Sequence, residues 1–415
     1  MKILCFGAGK LFTQFVKLYN KEHQVIGVLD NNEKMWGEKV VGFPVLSPQN
    51  LNQYEYDSIV ITSVYGNQIR EQLCGLNVKE ETIFDFSKII SVREDGIQDW
   101  GNLLDIQSLY SLFPQVKHLE EELVIAKEYS QRALFLSARS FIQNMPKQIQ
   151  SLEDVEFQVF SQFGEDGIIQ WLIKNVDIKN KTFIEFGVEN YDESNTRFLL
   201  MNNNWSGFIM DGSKENMDYV KNSDYYWKFD LIAKDAFVTK ENINQLLTQS
   251  GFTGEVGLLN VDVDGNDYWI LDNIDCVNPQ ILICEYNAIF GDEKQVTIPY
   301  DEAFYRTSAH YSNLYWGASL GAFKAWAEKK GYYFVGTNST GHNAFFVRKD
   351  SISKELVDGI NKEFRDSKYR ESKDKNGKLT FLRGKERLME IKEMPLVDLV
   401  TGKQEKISKL YELED

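Results

Sequence analysis

Carboxylates recur at the ends of apolar runs in the second half of this 415-residue chain. The run at 182–196, TFIEFGVENYDESNT, carries Glu185 and Gly187 and passes straight into a polar loop. WSGFIMDGS at 205–213 places Asp211 after an apolar run, VGLLNVDVDGND at 256–267 brings Asp262 and Asp264, and ILICEYN at 281–287 adds Glu285 and Asn287. In an open α/β sheet, ligands bind beyond the carboxyl ends of the strands. There a glycine lets the backbone come close, and a carboxylate can receive a ribose hydroxyl or an amino group. Four acid-tipped runs in succession predict a nucleotide-like cofactor site. Helix capping is the structural alternative for any one of these acids, because a carboxylate near a helix N-terminus satisfies free N–H groups and suits the dipole.

The densest acidic motif is Asp262-Val-Asp264-Gly-Asn266-Asp267. With Glu285 and Asn287 it offers an oxygen-rich site for Mg²⁺, which prefers octahedral oxygen ligands. Strand alternation would send Asp262 and Asp264 to one face and Val261 and Val263 to the other. The same residues also read as a turn and a helix cap. For proton transfer the candidates are Asp264, His310 in RTSAHYSNLYWG and His342 in TGHNAFF. An imidazole titrates near neutrality and suits a general base, although a hydrogen-bonded structural histidine is the commoner case. Tyr286, Tyr300, Tyr305, Tyr311, Tyr315 and Trp316 fall in the same region. Such rings stack on a sugar or an adenine, or simply fill a core.

This set of strand-end residues resembles the core of class I S-adenosylmethionine-dependent methyltransferases, and more narrowly the FkbM-like branch. The resemblance covers roughly 158–348 and includes SQFGEDGII at 161–169. It implies that Glu185 and Gly187 lie against the methionine part of S-adenosylmethionine, that Asp211 binds the ribose, and that Asp262 belongs to the same cofactor set. Some sugar O-methyltransferases of related fold hold a metal on acids after these strands, which would place Mg²⁺ on Asp262, Asp264, Glu285 and Asn287. The sequence departs from the family at the glycine-rich loop, where Val188-Glu189-Asn190-Tyr191-Asp192 stands instead.

The first 90 residues read as a separate βαβ unit. KILCF is a strand, Gly7-Ala8-Gly9 a tight turn, 11–19 a helix, and 24–29 a second strand followed by Asp30. Glycines at such a turn admit a phosphate to the helix N-terminus, and an acid about 20 residues on receives a ribose hydroxyl. Phe12 replaces the third glycine of that fingerprint. Residues 28–51 resemble small Rossmann-like domains of sugar-modifying enzymes, including those of sugar acyltransferases that bind a nucleotide-sugar. The resemblance implies nucleotide-sugar binding through Gly7, Gly9 and Asp30, with docking or dimerisation as the alternative.

The positioning elements follow. We expect an α/β protein with a Rossmann-like domain at 1–90, a helical connector at 91–156, a methyltransferase-like mixed sheet flanked by helices at 157–350, and a charged helical extension at 351–415. The connector shows apolar residues at three- and four-residue intervals, and its acid-rich helices could mediate a homo-oligomer. A length of 415 residues exceeds one ordinary core. A net charge of −16 disfavours nucleic acid, whose phosphates need a basic face. No run of about 18 apolar residues predicts a membrane span, and MKILCFGAGK does not read as a signal peptide, so a cytoplasmic protein is expected. Cys5, Cys74, Cys276 and Cys284 lack CxxC spacing and read as free thiols. The expected activity is methyl transfer to a hydroxyl of a carbohydrate or nucleotide-linked sugar. Its rival is a nonenzymatic nucleotide-sugar-binding or assembly protein of polysaccharide biosynthesis. An NAD-dependent oxidoreductase is weakened by Phe12 and by the lack of a Tyr-x-x-x-Lys constellation.

Overall fold

The structure, a computed structural model, describes residues 1–19, 23–86 and 106–413. The expected boundary between the first domain and the connector, at 90/91, lies outside the described residues. The chain divides into two compact units, Met1–Glu120 and Glu121–Asp415.

In the first unit the strands are β1 (Lys2–Phe6), β2 (Gln24–Leu29), β3 (Lys39–Val40), β4 (Phe43–Leu46), β5 (Ser58–Ile61) and β6 (Ile83–Asp85). They form one sheet in the order β3-β4-β2-β1-β5-β6. Cys5 pairs with Val28 on one side and Val60 on the other, both in parallel register. The chain therefore leaves β1 first to one side and later to the other, which opens a crevice at the carboxyl ends of β1 and β5. Phe12, where a dinucleotide fingerprint would have glycine, is fully buried with its ring edge-on to Phe43 at 6.1 Å. The helix beginning at Lys10 thus puts an aromatic ring into the core with Cys5, Val28 and Val45 where the fingerprint has glycine.

The second unit is built on β7 (Thr182–Phe186), β8 (Ser206–Asp211), β9 (Leu231–Asp235), β10 (Gly254–Val261), β11 (Val277–Glu285), β12 (Val296–Thr297), β13 (Tyr332–Thr337), β14 (Asn343–Arg348), β15 (Pro395–Asp398) and β16 (Gln404–Lys406). Seven of these order as β13-β14-β11-β10-β7-β8-β9, and β14 runs antiparallel to both neighbours. Alternation along each strand feeds two cores, one on each face. Phe183, Ile209, Leu258 and Ile281 enter one; Ile184, Phe208, Leu259 and Leu282 enter the other. A sheet buried on both faces needs near-continuous apolar runs, and these strands have them. β7 lies between β8 and β10, so the strand order reverses there and the switch point falls between β7 and β10.

The region from 351 differs from the expected helical extension. Its helices are three short ones, Lys354–Asp358, Lys385–Glu390 and Ile407–Leu410. β15 pairs antiparallel with both β12 and β16, and Leu388, Leu396 and Ile407 are buried with Phe290 and Leu314 in a core of their own. Apolar residues spaced among the charges anchor this segment onto the loops after β11. The helix Ile106–Asn144 answers the expected helical pattern; its Phe135 packs against Phe160 and Phe198. Among the described residues no helix is long and apolar enough to cross a membrane. Cys5 and Cys284 are buried, Cys276 is partly so and Cys74 is exposed; all four are free.

Candidate active site

The loop after β7 is organised by Glu185. Its Oε1 accepts from Asn195 N at 2.9 Å and Asn260 Nδ2 at 3.0 Å, and its Oε2 accepts from the hydroxyls of Ser194 and Thr196. Burial pushes this carboxyl above its ordinary pKa, against the hydrogen bonds that favour its ionised form. Glu185 therefore acts as the hub that shapes residues 187–196. A second anchor is Arg197, whose Nη1 donates to Tyr191 O at 2.9 Å and Asp192 Oδ1 at 3.0 Å, with its guanidinium over the rings of Phe160 and Tyr225. These two side chains hold a loop that has no glycine after Gly187, and Glu189 and Tyr191 accept positive φ of 46° and 63° within it. Such conformations cost free energy and persist only where surrounding contacts over-determine them.

At the end of β8, Asp211 Oδ2 accepts from Glu189 N at 2.9 Å and Oδ1 from Ser213 N at 2.8 Å. The same acid thus ties the loop after β7 to the turn after β8. At the end of β10 the strand stops at Val261, so Asp262 and Asp264 lie beyond it and strand alternation does not govern them. Asp264 has φ 55° and is exposed, and its Oδ1 accepts from Arg306 Nη1 at 2.7 Å. Arg306 also donates from Nε to Asn313 O and lies over the Trp316 ring. Burial disfavours its charge, but Glu285 and Asp264 outweigh that and hold its pKa above the ordinary value. Parallel pairing of Val261 with Cys284 brings Asp262 beside Glu285. Burial, then the charge of nearby Asp264, pushes Asp262 well up; burial, then Asp262, does the same to Glu285. Glu285 Oε2 is buried and has no hydrogen-bond partner among the described residues.

These strand ends surround a cavity of about 290 Å³. Glu185, Gly187, Asp262 and Glu285 line it together, as do Asp264, Asn287 and His342. Asp211 and His310 lie outside its lining. His310 Nδ1 is 2.7 Å from Ser312 Oγ and its ring packs on Tyr311. His342 is stacked on Phe163 with ring centroids 4.8 Å apart, and its Nε2 lies 3.1 Å from Ser367 Oγ. Burial lowers its pKa to about 4, so it is a neutral and weakly basic ring at pH 7. Of the six aromatic residues in this region, only Tyr286 and Trp316 reach the cavity; Tyr305 is 64% exposed and the hydroxyl of Tyr315 is spent on Pro395 O.

The expected Mg²⁺ site does not fit this arrangement. Among the described residues no group of three or more His, Cys, Asp or Glu side chains is placed to hold a metal ion. Asp264 is turned to Arg306, and Asp267 accepts from Val263 N and Gly265 N, which closes the turn of the alternative reading, while the N-cap residue Asn266 makes no side-chain capping bond. Asn287 donates to Leu314 O and Trp316 O and accepts from Ile289 N, so it clamps the chain after β11.

Several cavity residues escaped sequence reasoning. Gln162 and Phe163 are presented by the SQFGEDG loop, which is folded by its own acids: Asp166 Oδ2 accepts from the backbone of Val159, Phe160 and Ser161, and Glu165 Oε2 from Phe163 N and Gly164 N. Each acid folds back onto backbone N–H groups one to seven residues before it. Arg306 stands four residues before His310 in the same polar and aromatic stretch. Tyr369, Glu371 and Arg387 come from the charged C-terminal segment and carried no local signal.

In the first unit Gly7, Gly9 and Asp30 line a cavity of about 500 Å³. Asp30 Oδ2 accepts from Ala8 N at 2.8 Å, which draws the acid onto the glycine turn. Gly7 has φ 106°, and a Cβ there would sit 2.7 Å from Ser63 Cβ, whereas a Cβ on Gly9 would meet nothing within 4 Å.

Residues 1–84 match the family model described as C2185-like, N-terminal. No curated protein matches the chain. Among solved structures, UDP-D-quinovosamine 4-dehydrogenase from Vibrio fischeri is 18% identical, covering 22% of this chain and 84% of its own, with a TM-score of 0.19. An O-methyltransferase from Bacillus cereus in complex with SAH is 12% identical over 53% of this chain and 91% of its own, with a TM-score of 0.28. A S-adenosylmethionine-dependent methyltransferase from Clostridium acetobutylicum is 8% identical over 44% and 90%, with a TM-score of 0.28. Likenesses of this size assign nothing by themselves.

Proposed function

We propose that the second unit is an S-adenosylmethionine-dependent methyltransferase acting on a hydroxyl of a carbohydrate or a nucleotide-linked sugar. The observation that carries this reading is the acid-lined cavity at the switch point between β7 and β10, on a sheet whose β14 runs antiparallel as in the class I methyltransferase fold. Ligands of open α/β sheets bind at such a point. The buried, unpartnered Glu285 Oε2 is an acceptor that a hydrogen-bond donor or a cationic ligand would satisfy.

When bound, S-adenosylmethionine supplies a methyl group activated by a positively charged sulfur. A carboxylate oxygen has two lone pairs, so Asp211 Oδ2, which accepts one backbone N–H, keeps capacity for a ribose hydroxyl. Glu185 and Gly187 shape the backbone beside it, and Glu189 and Glu193 around the cavity favour a positive charge. The acceptor hydroxyl needs alignment and loss of its proton. Asp262 and Glu285, adjacent across the pairing of β10 with β11 and both raised by burial and then by the charge of neighbouring acids, are the pair at which that proton would be held. Asp264 is engaged by Arg306, and neutral His342 serves as a wall and hydrogen-bonding group.

Calorimetric titration of the protein with S-adenosylmethionine tests the reading. Saturable binding at one site, followed by transfer of a labelled methyl group to a saccharide hydroxyl, is expected. Absence of donor binding would end it.

A second reading, favoured by the separate cavity around Gly7, Gly9 and Asp30, is that the first unit binds a nucleotide-sugar. It stands whether or not the second unit transfers a methyl group.

A further inference from the structure

The cavity of the second unit has two chemically different sides. One is formed by the loop after β7, with Glu185, Gly187 and Glu189. The other consists of Phe163, His342 and Tyr369, with Asn343 and Arg387 lining the same cavity. Phe163 and His342 are stacked nearly parallel, 21° apart, and the Tyr369 ring stands at 88° to His342 with centroids 5.5 Å apart. Tyr369 stands at 74° to Phe163 as well, with centroids 6.3 Å apart, so its plane meets the two stacked rings steeply and the three make an aromatic corner. Tyr369 is 46% exposed, so its ring is open to a ligand.

Two polar atoms here lack partners. Asn343 is 7% exposed, and its Nδ2 donates to Glu165 while its Oδ1 has no hydrogen-bond partner among the described residues. Arg387 is 5% exposed and pairs with Asp366 through Nη2, and its Nε is likewise unpartnered. A buried unpaired acceptor and a buried unpaired donor beside the same cavity each carry a desolvation cost that a ligand bearing both donors and acceptors would remove. A sugar ring has that character: its C–H faces pack on aromatic rings while its hydroxyls donate and accept. A planar phenolic acceptor would meet the rings but would satisfy few of the polar groups.

We propose that the corner of Phe163, His342 and Tyr369, completed by Asn343 and Arg387, is the acceptor subsite and takes a polyhydroxylated hexose-sized ring. This rests on the methyltransferase reading above and deepens it. It makes the C-terminal segment, through Tyr369 and Arg387, a determinant of acceptor specificity. Tyr369 is a specificity residue and is given no part in the chemical step.

The test uses the protein, labelled S-adenosylmethionine, and a panel of methyl hexosides, UDP-hexoses and catechol as probes. Wild type should methylate a saccharide in preference to catechol. Tyr369→Ala should raise the KM for that saccharide about three- to tenfold with donor affinity unchanged, and Tyr369→Phe should restore it. The exposed position of Tyr369 keeps both variants folded, which melting curves would verify. Unchanged acceptor KM in Tyr369→Ala overturns the subsite while leaving the methyltransferase reading intact; preference for catechol, or failure of every saccharide to be methylated or to bind in saturation-transfer NMR, overturns the subsite together with the carbohydrate acceptor proposed above and leaves the S-adenosylmethionine site standing. Loss of donor binding in wild type overturns the methyltransferase reading instead.

Discussion

Gly187 lies so close to the end of β10 that a Cβ on it would stand 1.8 Å from the carbonyl oxygen of Asp262. The first residue beyond β7 and the first beyond β10 therefore touch through backbone, across the switch point of the sheet. Gly187 also has φ 69° and donates from its N–H to Met210 O at 2.9 Å. Close approach and a left-handed backbone together demand glycine here.

Gly187→Ala should destabilise the protein by about 2–5 kcal/mol, from the strained φ together with overpacking against a carbonyl that cannot yield. Urea denaturation gives the value. A loss below about 1 kcal/mol would mean that the two strand ends separate easily and that the cavity floor is soft.

Asp211→Ala should weaken S-adenosylmethionine binding by about 1.5–3 kcal/mol, roughly ten- to a hundredfold, through loss of a charged hydrogen-bond acceptor. Because Asp211 also holds Glu189 N and Ser213 N, Asp211→Asn is the companion variant, since its amide oxygen can keep one of those bonds. Calorimetry on both, with melting curves alongside, separates the effects. Equal donor affinity in wild type and folded Asp211→Ala would remove Asp211 from the cofactor site.

Much of this was legible because it is local. Apolar runs tipped with acids located β7, β8, β10 and β11. β9 was not anticipated: its LIAKD has one exposed apolar residue, Ile232, and two charges, a pattern an edge strand tolerates but a central strand does not. The roles of the acids were harder to read than their positions. Glu185 at the end of β7 and Asp267 at the start of the helix after β10 are committed to protein donors, and only the three-dimensional network of Ser194, Thr196 and Asn260 reveals that for Glu185. Tyr369 and Arg387 reach the cavity through long-range packing of the final 60-odd residues, for which a charged sequence gives no local cue.

His342 predicts a pH effect of definite sign. Burial lowers its pKa from 6.5 to about 4, so folding favours the neutral ring. Its stabilising contribution is complete above pH 6.5 and is lost as the pH falls towards 4, because the unfolded chain takes up the proton first. Between pH 7 and 5 this amounts to about 2 kcal/mol. Asp166 and Asp267 act in the opposite sense: burial raises each to about 6, so their contribution is present at low pH and lost as pH rises through 6. The difference between wild type and His342→Gln isolates the histidine. Urea midpoints at pH 7 and 5 should fall further in wild type than in the variant; parallel curves would contradict the buried neutral imidazole.

Gly9→Val separates ligand binding from folding in the first unit. A Cβ at Gly9 meets nothing within 4 Å, and the residue faces the cavity shared with Gly7 and Asp30. A branched side chain should therefore be accommodated by the folded protein, with a change in stability of no more than about 1 kcal/mol, while filling space that a phosphate would need against the turn. Gly7 gives no such separation, because its φ and its contact with Ser63 couple any substitution to folding. The measurement is titration of the protein with UDP-N-acetylglucosamine and UDP-glucose, wild type against Gly9→Val, with thermal melts as the control. Binding by wild type and its loss by at least tenfold in a normally folded variant are the expected results. If the wild type binds and the variant binds equally, the glycine turn is a structural element and the ligand sits elsewhere. If neither nucleotide-sugar binds wild type, the first unit serves docking or dimerisation.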